Sequence, residues 1–542
     1  MKLARLAALL ALPLAAAAAP AAPPAKPKLV VVISVDQFSA DLFQQYRQHF
    51  DGGLKRLSEG VVFPMGYQSH NATETCPGHS TILTGSHPAR TGIIANNWFN
   101  LNAARDDKNV YCSEDERIAG TTHEAYTVST YHLRVPALGD YMKRADPRSR
   151  VAVASGKDRA AIMMGGYGPD QRWYWNGTEY TGTGTPRAQA VDSANRDVAD
   201  LLTRPREPRS LPGVCEAHSR AVPVIGANRS VGDGRFARDA GDRNGFRASP
   251  DFDRATLGLG EALRREMRLG EGPATDLLIL GMSATDYVGH TFGTQGSEMC
   301  IQLMALDEAL GDFFKRLDST GIDYLVMLTA DHGGIDIPER AREHGAPDAQ
   351  RVDPALNAGT MGETLGRKLG LKGPVLFGDG AFGDMYVDRK LTTAQRARTT
   401  REAIAAYKRH PQVAAVFTHA ELAAARAPTG SPDTWSLIER ARASFDNERS
   451  GDFVVLLKPR VTPISDTSRG YVATHGSPWD YDRRVPILFW SKGMTPYEQA
   501  LPVETVDILP TLASLLGIAI RPGSIDGRCL DLDEGPGNSC RP

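Results

Sequence analysis

The chain has 542 residues, 41% of them hydrophobic, enough to bury a large core. Lys plus Arg number 62 and Asp plus Glu 64, which leaves a net charge of −2. So even a balance excludes a whole-molecule field for nucleic acid or an anionic membrane, and any affinity for phosphate has to be local.

Residues 1–19 read as an export signal. Lys2 and Arg5 give the positive start, Leu6 to Leu14 the short apolar run, and Ala17 to Ala19 the small-residue cleavage site. The run is shorter than the roughly 20 apolar residues of a membrane span. Residues 20–27, "PAAPPAKP", read as a flexible start to the mature chain. No later segment is apolar enough over its length to span a bilayer, so the expectation is an exported protein, periplasmic or extracellular.

From there the chain alternates apolar runs with helical patterns. "KLVVVISV" (28–35), "RVAVAS" (150–155), "TDLLILGM" (275–282), "DYLVMLTA" (323–330), "DFVVLLK" (452–458) and "VPILFW" (485–490) have the β-branched, continuous character of strands buried on both faces. Helical spacing covers 254–268, 298–316, 397–408 and 505–516. The pattern predicts an α/β fold with a central, mostly parallel sheet flanked by helices. Residues 28–542 read as one catalytic domain, with insertions around 97–148, 165–250 and 380–450 that fit the alternation badly and read as cap elements. Within them "QRWYWNG" (171–177) suits either a cleft wall or packing, and "DFD" (251–253) is a possible Ca²⁺ site. The six cysteines suit an oxidising compartment, with Cys529–Cys540 the expected pair because the loop between them is short.

The chemistry gathers after the strands. Asp36 closes "VVVISVD", "LLILGMSATD" runs into Asp286, and "YLVMLTADHGG" ends in Asp331 and His332. Ligand sites of open α/β sheets lie beyond the carboxyl ends of strands, so these carboxylates can converge from distant parts of the chain. Asp286 and His290 are four apart and share a helix face. His475 follows in a Gly/Ser/Pro-flanked loop. Asp and neutral His suit zinc, and two zinc ions can clamp the attacking and leaving oxygens of a phosphoryl transfer. A metal site of that kind needs a nucleophile, and "ATETCPGHSTILTG" (72–85) offers both Thr75 and Cys76 just before a helix.

"SVDQ", "TETCPGHSTILTGSHPARTGIIANNW" (73–98), "SGKDR" (155–159), "TDYVGH" (285–290), "ADHGG" (330–334) and "THGS" (474–477) stand in one order along the chain. In that order they resemble the alkaline phosphatase superfamily, and most of all its secreted, Thr-nucleophile bacterial members. The resemblance implies that Thr75 is the phosphorylated nucleophile. It places one zinc on Asp286, His290 and His475, and the other on Asp36, Asp331, His332 and the Thr75 oxygen. It assigns Asn96, the backbone at Cys76, Lys157 and Arg159 to the phosphate oxygens. It implies broad phosphate-monoester substrates and a Gram-negative source, and leaves His79 a structural residue. A phosphodiesterase or nucleotide pyrophosphatase of the same superfamily is the nearest rival, and a non-catalytic periplasmic metal- or phosphate-binding protein a further one. A sulfatase is disfavoured, since Cys76 lacks the Pro and Arg spacing of that nucleophile.

Overall fold

The computed structural model describes residues 26–184 and 186–540. The expected leader, 1–19, and most of the flexible stretch after it lie outside the described residues.

The core is a ten-stranded sheet. Its labelled strands are β1 (Leu29–Val35), β2 (Val61–Tyr67), β3 (Val151–Ser155), β4 (Gln171–Trp175), β5 (Tyr180–Gly184), β6 (Asp276–Met282), β7 (Tyr324–Thr329) and β8 (Arg484–Ser491). In space they run β2-β8-β7-β1-β6-β3-β4-β5, and the short strands Tyr497–Glu498 and Val503–Glu504 pair with the outer side of β2. The block β7-β1-β6-β3-β4 is parallel throughout, while β8 and β5 run against it. Every residue of β1, β3, β6 and β7 is buried, as continuous apolar runs require when helices cover both faces.

Five of the six expected strands lie in this sheet. The sixth, 453–457, belongs instead to a separate four-stranded sheet, where it pairs antiparallel with 383–387 and 413–418 around its own apolar cluster. Sequence alone could not separate the two, since both environments bury both faces of the strand. The 165–250 stretch, expected as a cap, supplies β4 and β5 at the edge of the core. "QRWYWNG" accordingly resolves as packing: Trp173 and Trp175 are buried, and Trp175 lies against Tyr180, Phe246 and Phe252. Of the possible calcium ligands at 251–253, Asp251 is ion-paired with Arg206 and Arg209, while Asp253 accepts from Ala284 N (2.9 Å) and Gln302 Nε2 (2.9 Å).

Cys529 pairs with Cys540 as expected. Cys215 pairs with Cys300 and Cys76 with Cys112, so no cysteine is free among the described residues. No helix among them is long and apolar enough to cross a membrane.

Candidate active site

The site forms at the carboxyl edge of the parallel strands. Asp36 follows β1 directly. Asp331 and His332 lie just past β7. Asp286 and His290 are carried on a helix, Ala284–Phe292, that opens two residues after β6. Lys157 and Arg159 follow β3. His475 arrives on the loop ahead of β8.

Thr75 opens a helix, α1 (Thr75–Ile82), and is 1% exposed. Glu74 before it is extended, which starts the helix at Thr75, and Pro77 sits in the first turn, where its missing N–H leaves nothing unpaired. Two motif glycines are there for close approach. A Cβ on Gly78 would come within 2.0 Å of the Asp331 carbonyl oxygen, and one on Gly289 within 1.5 Å of Gln37 Oε1. Without them α1 could not lie against the end of β7, nor the Asp286 helix against the turn after β1.

The carboxylates and imidazoles meet as two overlapping groups, Asp286/His290/His475 and Asp36/Asp286/His332, whose donor atoms lie within 4.8 Å of one another. His290 Nε2 is 3.2 Å and His475 Nε2 3.4 Å from Asp286 Oδ1. His332 Nε2 is 3.4 Å from Asp36 Oδ1 and 3.3 Å from Asp331 Oδ2. Asp286 thus joins both groups, where sequence reasoning placed it in one, and Asp331 borders the second through His332.

All three of these imidazoles are held from behind in the same way. Nδ1 lies 2.9 Å from the Ala473 carbonyl for His290, 2.8 Å from Gly333 O for His332, and 2.8 Å from Thr73 O for His475. A carbonyl only accepts, so Nδ1 carries the proton and the Nε2 lone pair faces the carboxylates. Burial pushes the His332 imidazole down to about 3 and lowers His475 too, which keeps both neutral. Asp36 Oδ1, Asp286 Oδ1, Asp331 Oδ2 and His332 Nε2 are buried without a well-formed hydrogen bond. Lone pairs converging unpaired in a buried place are the donor set a cation satisfies. The residues therefore fit a metal.

The carboxylates divide electrostatically. Burial, reinforced by Asp286 and Asp331, holds the Asp36 carboxyl well above the usual range. Burial also opposes ionisation of Asp286, but His290 and Lys157 outweigh it and hold that carboxyl well below the usual range.

Lys157 and Arg159 part company. Lys157 Nζ stands between Asp286 Oδ2 (2.5 Å) and Asp36 Oδ2 (2.6 Å), with the side chain 2% exposed. Arg159 lines the open cleft, and its Nη2 is 3.5 Å from Thr75 Oγ1. Asn96 lines the cleft too, with its Oδ1 accepting from Cys76 N (2.8 Å) and its own N–H donating to Glu74 Oε2 (2.6 Å). The Cys76 N–H, expected to face phosphate, thus holds Asn96. The Cys76 thiol is consumed in the disulfide to Cys112.

Three contributors escaped the sequence reading. His79, expected to be structural, places Nδ1 3.0 Å from Asp331 Oδ2 and 2.9 Å from Thr75 O, tying nucleophile helix to carboxylate. Its four-residue spacing from Thr75 was the available signal. Gln37, in the left-handed region at φ 66°, donates its N–H to Asp331 Oδ1 (3.1 Å). Glu74 holds Asn96, and burial lifts its carboxyl to about 7.

Comparison with known proteins agrees with this geometry. Residues 30–478 match the family described as Type I phosphodiesterase / nucleotide pyrophosphatase. The chain is 56% identical over 518 residues to alkaline phosphatase PhoK of a Sphingomonas species, covering 95% of this chain and 92% of that one. It is 50% identical over 518 residues to alkaline phosphatase PhoD of Zymomonas mobilis, covering 95% and 89%. The crystal structure of alkaline phosphatase PafA superposes with a TM-score of 0.81 at 24% identity, over 94% of this chain and 99% of that one, and so shares the fold. With its matched family, its relatives and a carboxylate–imidazole cluster beside a buried threonine, the chain belongs to the type I phosphodiesterase / nucleotide pyrophosphatase family, as one of its alkaline phosphatases, enzymes that hydrolyse phosphate monoesters.

Proposed function

We propose that monoester hydrolysis here proceeds through a phosphothreonine at Thr75, on a site holding two zinc ions, with broad monoester substrates. The observation that carries the reading is the set of imidazoles whose Nδ1 atoms are engaged by backbone carbonyls, which leaves Nε2 free to ligate. Asp286, His290 and His475 would hold one ion, and Asp36, Asp331, His332 and Thr75 Oγ1 the other. Bound zinc would ease deprotonation of a hydroxyl and offset charge on a departing oxygen.

The remaining steps belong to the chain's own residues. Thr75 Oγ attacks phosphorus; the Oγ–P bond forms as the ester O–P bond breaks and the alcohol departs. Water then cleaves the phosphothreonine, releasing inorganic phosphate and restoring the hydroxyl. Two in-line displacements retain configuration at phosphorus. The phosphoryl group lies at the amino end of α1, where free N–H groups and the helix dipole favour negative charge. Arg159 and Asn96 orient its oxygens, and Lys157, set between Asp36 and Asp286, balances their charge. A solved variant of PafA replaces a Thr, an Asn, a Lys and an Arg, the residue types standing here at Thr75, Asn96, Lys157 and Arg159.

The diesterase alternative is weighed by charge. A monoester presents a dianion, and Arg159 beside Thr75 suits an oxygen that a diester would cover with a second substituent. Arg159→Ala should therefore lower kcat/KM for a monoester by roughly 10- to 150-fold, the worth of a hydrogen bond to a charged group. The diester rate should fall much less. Steady-state kinetics on both ester types checks this, and an equal loss on both would remove Arg159 from the choice of monoester.

Export is proposed on the same footing, supported by the three disulfides, which form in oxidising compartments. Mass spectrometry of protein recovered from periplasm or medium should find an amino terminus close to residue 20. Recovery with residues 1–19 attached would contradict the signal.

A further inference from the structure

Seven large hydrophobic side chains are exposed among the described residues, and Tyr471, at 43%, is the one that lines the catalytic cleft. Its ring stacks on that of His290, with centroids 4.6 Å apart and planes at 15°. The stack is pinned by the backbone: Val472 N donates to His290 O (2.8 Å), and Ala473 O accepts from His290 Nδ1 (2.9 Å). Arg229 ties Thr291 O to Gly470 O, so the segment before Tyr471 is fastened to the same helix end. An aromatic ring held this firmly, with part of its surface open, is a rigid contact that costs little ordering entropy on binding.

A second ring stands next to Gly476, the residue after His475. Phe382, from the segment ahead of the 383–387 strand, packs against Gly476, where an added Cβ would come within 3.1 Å of the ring. It lines the same cleft, which encloses about 760 Å³, far more than a phosphoryl group fills. The volume beyond the carboxylate–imidazole cluster is therefore available to the part of the ester that leaves.

We propose that Tyr471 and Phe382 form a leaving-group subsite, and that it makes phosphate monoesters of aromatic alcohols preferred substrates. The inference rests on the monoesterase assignment of this cleft. It predicts selectivity between esters, not the existence of turnover. Stacking of a planar leaving group on an aromatic side chain adds to the simple burial of its surface.

The test compares phenyl phosphate with methyl phosphate in wild type, Tyr471→Ala, Tyr471→Phe and Phe382→Ala, all loaded with zinc. Taking the ratio of the two kcat/KM values within each protein, and then comparing proteins, cancels the intrinsic reactivity of the esters. Tyr471→Ala should lower the phenyl-to-methyl ratio about three- to tenfold, the worth of an aromatic pair. Phe382→Ala should lower it in the same direction, and Tyr471→Phe should preserve it. An equal slowing of both esters in Tyr471→Ala would overturn the subsite and leave Tyr471 a residue that merely positions His290. Wild-type protein that turns over neither ester would bring down the monoesterase assignment and the subsite together, an outcome distinct from an unmoved ratio.

Discussion

Thr75→Ala should be inactive toward phosphate monoesters, with kcat reduced on the order of 10⁴- to 10⁶-fold, as for loss of a nucleophile in other covalent enzymes. Thr75→Ser keeps a hydroxyl at the start of α1 and should retain measurable turnover. The informative comparison is binding. Asn96 and Arg159 are held by groups other than the Thr75 side chain, so inorganic phosphate should still inhibit or be seen calorimetrically in the alanine variant. Acid-quenching the wild type with a ³²P-labelled monoester should trap label on the protein, and on Thr75 in a peptide digest, while the alanine variant traps none. A non-catalytic phosphate-binding protein predicts the opposite pattern: phosphate affinity with no activity to lose and no label in either form. Labelled wild type with the phosphate elsewhere than Thr75 would refute the nucleophile assignment.

The second large effect is that of the metal. Dialysis against a strong chelator should abolish turnover and lower the thermal midpoint, and stoichiometric zinc should restore both. Three buried carboxylates meet in one place, with Lys157 as the buried cation between two of them. Removing bound cations leaves that charge uncompensated, a costly state in a buried site. Ligand linkage sets the scale at about 4 kcal/mol per site when free metal exceeds Kd a thousandfold. Asp286 belongs to both donor groups, so Asp286→Asn should cost more metal than His290→Ala or His332→Ala, each of which touches one group. Metal content by elemental analysis checks the ranking without recourse to activity. Full activity and an unmoved midpoint in chelated protein would reject the metal site.

Much of this site was legible because its signals are local. An apolar run ending in Asp announces a strand with a carboxylate at its carboxyl edge, and Asp36, Asp286 and Asp331 all came through in that way. The helical pairing of Asp286 with His290 was equally visible. What stayed hidden depends on packing between distant segments. Nothing near Asp331 in sequence points to His79 or Gln37, and the Cys76–Cys112 bond could not be chosen among six cysteines. β2 was passed over because "VVFPMGY" contains a proline and a glycine. Those residues sit where the pairing with β8 shifts register, between Val485 and Ile487, which is where a strand tolerates them. The 453–457 strand was seen but set in the wrong sheet, since a buried apolar strand carries no mark of its partners.

The Nδ1 tethers of His290, His332 and His475 have a consequence for how this site can change. All three run to main-chain oxygens, of Ala473, Gly333 and Thr73, so no substitution deletes them. An alanine scan would leave all three carbonyls in place, although each is the atom that selects a tautomer. The interaction is vulnerable to displacement instead: an insertion or deletion near 73, 333 or 473 that moves a carbonyl by an ångström or so would let a ring turn or take the other tautomer. Drift in this enzyme should therefore hold the lengths of these three segments constant.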